Sequence, residues 1–211
     1  MMKNCFFISP IGSPDSPQRK RSDVLVRHLL QPILAEFDFQ PVRADQITEP
    51  GLISTQVFQH ILDDPLLICD LTDGNPNVFY ELAVRHITQK PCIHLISGDQ
   101  RPPFDLSHAR AVFYATDDLD SFENTKKELR AHIAKSLAQD HRASNPISSA
   151  IRADLLRSSE NSAEQALGNL TWEIQELRDT ISVLARKIEH LRTKKGPSFL
   201  SEEPKSGSGI F

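Results

Sequence analysis

Two carboxylates flank a polar turn, Asp70 before it and Glu81 after it, and this pair is where the chain is best placed to do chemistry. Asp70 ends the apolar run Leu66, Leu67, Ile68 and Cys69, which reads as a strand buried on both faces. Thr72, Asp73, Gly74 and Asn75 make the turn. Asn75 is a good helix N-cap, and Pro76 suits the first helical position, where its missing N–H costs nothing. Val78 and Leu82, with Phe79 and Ile87, supply an apolar helix face. Glu81 lies just over one turn into this helix, a helical step after Asn77 and a step before Arg85. The unit is strand, acidic turn, helix, and open α/β sheets bind ligands at such carboxyl ends of strands. Two carboxylates facing one pocket suit reactions at the anomeric carbon of a sugar, where an oxocarbenium-like centre needs a nucleophile or an anionic stabiliser. A plainer arrangement is equally compatible with the spacing: Glu81 pairs with Arg85 on a solvated face, and Asp70 only caps its turn.

Other polar residues fall at predicted strand ends. The first strand, residues 5–9, runs into the loop Ser9, Pro10, Ile11, Gly12 and Ser13, where Ser9 and the amides near Gly12 could cradle a phosphate or ribose hydroxyls. A plain strand-to-helix turn explains the same residues. The second strand, residues 39–42, is followed by Arg43, Ala44 and Asp45; Arg43 could bind a phosphate and Asp45 a hydroxyl, or the two could simply pair with each other. The basic run Arg19, Lys20, Arg21 at a helix start is open to the same two readings. His86 falls off the Glu81 face of its helix and is a weak acid–base candidate, and His94 reads as a packed strand residue. No H-E-x-x-H, no paired Cys/His ligand spacing, no G-x-S-x-G and no phosphate-binding P-loop occur. No G-x-G-x-x-G occurs either, which argues against a dinucleotide redox cofactor but leaves a dinucleotide as a substrate to be cleaved. No metal or other cofactor is expected.

The phrase DLTDGNPNVFYELAVRH, residues 70–86, resembles the signature of nucleoside 2-deoxyribosyltransferase-like and TIR-like Rossmannoid proteins. The segments CFFISPIG and VRADQI, and the helix leading to DDPLLICDLT, follow the same pattern in order and spacing, over roughly the first two-thirds of the chain. In that family a Glu in a (F/Y)ELG-type motif acts on the anomeric carbon of a ribosyl or deoxyribosyl group attached to a base, a role that falls on Glu81. Ala83 stands where many members carry Gly. The resemblance implies that Asp70 orients sugar hydroxyls or the base. Ser9, Pro10, Ile11, Gly12, Thr72 and Asn75 would then surround ribose or phosphate, while Asn77 and Tyr80 shape the pocket. Its TIR-like side implies NAD as substrate and bacterial antiviral defence as the setting. Its deoxyribosyltransferase side implies a deoxynucleoside or its monophosphate. A nucleotide-sensing or scaffolding module without turnover is the alternative class.

These residues need a scaffold, and the periodicity supplies one. Predicted strands at 5–9, 39–42, 66–69, 91–96 and 111–114 alternate with helices beginning near 19, 51, 76 and 121, which implies a parallel sheet wound on both sides. The first helix should turn Val24, Leu25, His28, Leu29, Ile33 and Leu34 inward, and the last Phe122, Leu129, Ile133 and Leu137. The loop 101–105 could lie over the pocket. With the family resemblance, the expectation is an α/β fold with a flavodoxin-like five-stranded sheet over residues 1–140. Residues 141–159 then read as a polar linker. Over 160–195 the pattern changes to heptads, with Leu167, Ile174, Ile181 and Ile188 at a and Leu170, Leu177, Leu184 and Leu191 at d, which favours a parallel two-stranded coiled coil. Glu173 at g and Arg178 at the following e would pair between chains, whereas Lys187 and Arg192 would repel. Residues 196–211 read as a disordered tail.

The 211 residues carry a net charge of −4, which argues against a dedicated nucleic-acid binder. Cys5, Cys69 and Cys92 sit in apolar runs and read as buried free thiols in a reducing compartment. With no leader or membrane-span pattern, a cytoplasmic location and no membrane partner are expected. The expected partners are a nucleotide substrate and a second copy of the chain.

Overall fold

The computed structural model describes residues 2–48, 50–101, 106, 109–138 and 145–194, without the side chains of 179, 182, 185, 186 and 189–194. The expected loop over 102–105, part of the 141–159 stretch, and the tail at 196–211 lie outside the described residues.

Five strands form one parallel sheet: β1 (Lys3–Ile8), β2 (Phe39–Arg43), β3 (Leu66–Asp70), β4 (Cys92–Ser97) and β5 (Ala111–Tyr114). Their order, β2-β1-β3-β4-β5, is the flavodoxin-like one. β3 sits in the middle, and all five of its residues are buried, as its unbroken apolar run requires. β2 is an edge, where Pro41 takes no donor from the ladder.

Period-two alternation divides the core between the two faces. Cys5, Phe7, Leu66 and Ile68 face the side covered by α1 (Pro17–Val24), the wider π-type segment Leu25–Leu30, α2 (Gln31–Ala35) and α5 (Leu119–Ser136). Phe6, Ile8, Leu67 and Cys69 face α3 (Ile53–Asp63) and α4 (Pro76–Thr88). Burial of each such side chain is worth about 1.5–3 kcal/mol.

In the first helix Leu25, Leu29, Ile33 and Leu34 turn inward as expected, while Val24 is half-buried and His28 turns outward. Val26 and Leu30 are buried with them. Pro32 cannot donate to a residue one turn back and its ring crowds that turn, so the helix widens ahead of it and rotates the inward stripe. In α4 the inward residues are Val78, Leu82, Arg85 and His86, and Ile87 is exposed. Arg85 takes the inward place because its guanidinium donates to the carbonyls of Ile61, Asp64 and Pro91, each at 2.8 Å. It thereby satisfies the carboxyl end of α3, and Lys90 does the same at Leu62 and Asp63. Among the described residues no helix joins β4 to β5; Leu106 of that connection packs on the α3/α4 face.

The chain divides into two compact units, residues 1–151 and 152–211. Within the stretch 141–159, Pro146–Arg157 forms helix α6, and Ser162–Lys194 forms α7. Among the described residues no helix is long and apolar enough to cross a membrane.

Candidate active site

The carboxyl edge of the sheet collects nearly all the polar residues singled out by the sequence, and it treats them in two ways. On the α1 side they are bonded to one another. Asp70, at the end of β3, follows Ile68 onto that face and is buried. Its carboxylate accepts from the Thr72 amide at 3.1 Å, the Thr72 hydroxyl at 2.5 Å and the Tyr114 hydroxyl at 3.2 Å. Arg21 approaches it at 3.6 Å and donates to Asp73 at 2.7 Å. Gln100 closes the turn by bonding both the Asp73 amide and its carboxylate, each at 2.8 Å. Burial raises the Asp70 carboxyl above the usual range even though the hydroxyls and Arg21 pull the other way. The Thr72 hydroxyl also accepts from the Ser97 amide at 3.0 Å, so this turn is pinned to β4 as well.

The neighbouring strand ends are knotted in the same manner. Arg43, also buried, donates to Asp45, to Asp23 at 2.7 Å and to Ser22 at 2.6 Å. Arg19 bridges Asp23 and Asp45. The Ser9 hydroxyl bonds that of Ser22 at 2.7 Å. Arg43 and Asp45 therefore pair with each other, the second of their two sequence readings, although the guanidinium lies inside rather than on the surface. Arg19 and Arg21 likewise hold carboxylates of the chain itself. Pro10 is buried and Ile11 half-buried. Gly12 has φ +63°, and a Cβ there would run into the Ser16 Oγ that caps α1, so this glycine serves the turn itself.

On the α4 side the polar groups are left open. Asn75 caps the helix, its side chain accepting from the amides of Asn77 and Val78 at 2.9 and 3.3 Å. Beyond it Asn77 and Tyr80 are exposed, Tyr80 resting edge-on against Phe58 at 5.8 Å. Glu81 is half-buried, and no hydrogen bond or ion pair from a described residue reaches its carboxyl. Burial alone pushes it up to about 7. Val78 and Leu82, the neighbours of Glu81 along α4, pack on the face of the sheet that carries Cys69, opposite to that of Asp70. The alternative pairing of Glu81 with Arg85 does not form, since Arg85 turns inward to its three carbonyls. Above the turn, Gly74 has φ +61°, and a Cβ there would meet nothing within 4 Å.

The sequence reading passed over Tyr114 and Gln100. A tyrosine ending an otherwise apolar strand was the available signal for the first; nothing local marks the second. His94 and His86 pack ring against ring at 5.8 Å, and burial pulls both down to about 4, which removes His86 from acid–base work near neutrality. The three cysteines are free, Cys5 and Cys69 buried and Cys92 partly so, and burial raises their thiols. Among the described residues no group of His, Cys, Asp and Glu could hold a metal ion.

The unit over residues 1–151 is thus an α/β protein of flavodoxin-like topology in which the half-buried Glu81 carboxyl meets no partner among the described residues. No family model matches the sequence, and no curated protein matches it. Among solved structures, a 2-deoxyribosyltransferase from Leishmania mexicana aligns with a TM-score of 0.40 at 17% identity, over 62% of this chain and 98% of that one. A 2-deoxyribosyltransferase from Bacillus psychrosaccharolyticus aligns with a TM-score of 0.44 at 11% identity, over 58% and 90%. A CMP N-glycosidase from Clostridium botulinum aligns with a TM-score of 0.40 at 15% identity, over 60% and 99%.

Proposed function

We propose that the α/β unit cleaves the N-glycosidic bond of a nucleotide, with Glu81 as the catalytic carboxylate. The observation that carries this reading is the half-buried state of Glu81, without a partner among the described residues, on the helix that follows the carboxyl end of β3. A carboxylate that is partly desolvated and has no partner gains from a cation placed against it. The anomeric carbon of a departing ribosyl group becomes such a cation in the transition state, so the attraction is greatest where it accelerates the reaction.

In the step itself the C1′–N bond breaks and its electron pair leaves with the base nitrogen. Glu81 stabilises the C1′ cation or bonds to it as an ester. Water then adds its oxygen to C1′ and releases a proton to Glu81, which passes it to solvent where the base leaves neutral, as nicotinamide does, or to the departing base nitrogen where it leaves as an anion. A second base in place of water makes the reaction a transfer. A carboxyl poised at about 7 is suited to hold and release that proton. Asn77, on the same helix face, and the exposed ring of Tyr80 line the approach. Asp70 acts here as a positioning residue, because its carboxylate is occupied in holding the turn through Thr72, Tyr114 and Arg21.

NAD is the substrate that the TIR-like side of the sequence resemblance favours, with antiviral defence as the setting. A nicotinamide that is cationic until it leaves also suits a bare carboxylate. Deoxynucleosides and their monophosphates are the competing class. The test is incubation of the full chain with NAD and with a panel of ribo- and deoxyribonucleotides, followed by chromatography for free base. Released nicotinamide or nucleobase supports the reading and names the substrate. Tight binding of one nucleotide with no release over many hours would replace it with a sensing module.

A further inference from the structure

Helix α7 carries its heptad seam on one side and its intramolecular packing on the other. Within the unit 152–211, α6 reaches α7 at two points. A Cβ on Gly168 would lie 2.7 Å from the Arg157 amide and 3.0 Å from the Ala153 carbonyl, so the backbones touch where only glycine fits. One turn further on, the Arg157 guanidinium sits 5.2 Å from the ring of Trp172. With Leu167 at a, Gly168 is at b and Trp172 at f, positions on the back of a coiled-coil helix. The seam itself is uncovered: its residues from Leu167 to Ile188 are between 46% (Ile174) and 63% (Ile181) exposed.

We infer that this seam is the docking surface for a second copy of the chain, and that α6 buttresses the back of α7 rather than covering its front. Three observations select a second copy over another occupant. The 3.5-residue period runs from Leu167 to Leu191, longer than packing against a single short helix would require. Isoleucine at three of the four a positions, Ile174, Ile181 and Ile188, with leucine at every d is the arrangement that fits a parallel, two-stranded coil. Glu173 at g meets Arg178 at the following e of the partner only in the parallel register. Lys187 and Arg192 repel in that register, which loosens the carboxyl end of the coil and leaves its firm part near Gly168. Both chains enter the coil from the same end. This inference is independent of the glycosidic reading.

Sedimentation equilibrium of the full chain tests it. The wild type is expected at twice the chain mass, and Ile174→Asp with Ile181→Asp at the chain mass. Trp172→Ala, on the back of the helix, should remain a dimer. Unchanged thermal unfolding of the α/β unit would show that the double variant still folds. Leu170→Cys, which leaves the seam otherwise intact, should form a disulfide-linked dimer under mild oxidation, with the wild type as control for the native thiols. A monomeric wild type, a dimer that survives both aspartates, or a Leu170→Cys dimer that does not crosslink would overturn the inference.

Discussion

The two sides of the sheet's carboxyl edge differ in what they leave unsatisfied. On the α1 side, Arg19, Arg21 and Arg43 are paired with Asp23, Asp45, Asp70 and Asp73, and the hydroxyls of Ser9, Ser22, Thr72 and Tyr114 bond within the same cluster. On the α4 side, Glu81 is half-buried and meets no partner among the described residues. Charge density alone would point to the α1 side as the functional one. The proposed function rests on the other: a satisfied network holds geometry, while a partly desolvated carboxylate without a partner is stabilised by a cationic ligand. The saturated side holds the turn between β3 and α4 through Asp70, Thr72 and Asp73.

The largest stability effect should come from breaking the saturated side. Asp70→Ala leaves the Thr72 and Tyr114 hydroxyls and the Arg21 cation without their shared acceptor, and is expected to cost about 3–5 kcal/mol in chemical denaturation. A loss below about 1 kcal/mol would mean that the network is not what holds the turn.

Glu81→Gln should act in the opposite direction, and only at higher pH. The folded-state value of about 7 lies above the unfolded carboxyl value of 4.5. The wild type therefore has its full stability below about pH 4.5 and loses part of it as pH rises through about 7. The glutamine variant has no such loss. After allowance for solvent screening it should be more stable than wild type by about 1–2 kcal/mol at pH 8, with the advantage falling toward zero at pH 4.5. Equal stabilities at both pH values would show that the carboxyl is hydrated.

A smaller effect separates the two glycine turns. Gly12→Ala combines left-handed strain with a collision at Ser16, whereas Gly74→Ala meets open space and carries the strain alone. Denaturation should place Gly74→Ala at about 1 kcal/mol and Gly12→Ala above it. The reverse order would put the crowding on the α4 side.

The sheet was legible because β3 is an uninterrupted apolar run and because the helices punctuate the strands at regular distances. The α4 N-terminus was legible from Asn75 and Pro76 alone. Two helix faces were not. Pro32 widens the first helix and turns His28 outward, a consequence of backbone packing that a 3.6-residue template cannot register. Arg85 replaces Ile87 inside because three carbonyls from α3 and the start of β4 converge there, which no local pattern records. Glu81 was singled out by its place in the turn–helix unit. What separated it from Asp70 was strand alternation, which sends Asp70 toward Arg21 and Tyr114 while Glu81 stays on the face of Cys69. Its isolation could not be foreseen while Arg85 stood four residues away as an apparent partner.

The measurement that bears most directly on the central claim is base release by wild type and Glu81→Gln, side by side, at pH 8 with the substrate found in the nucleotide panel. The account predicts that the variant keeps its fold and nucleotide binding while turnover falls about 10²–10⁴-fold. Turnover within about twofold of wild type in a folded variant would contradict it, because the bare carboxyl would then have no part in the chemistry.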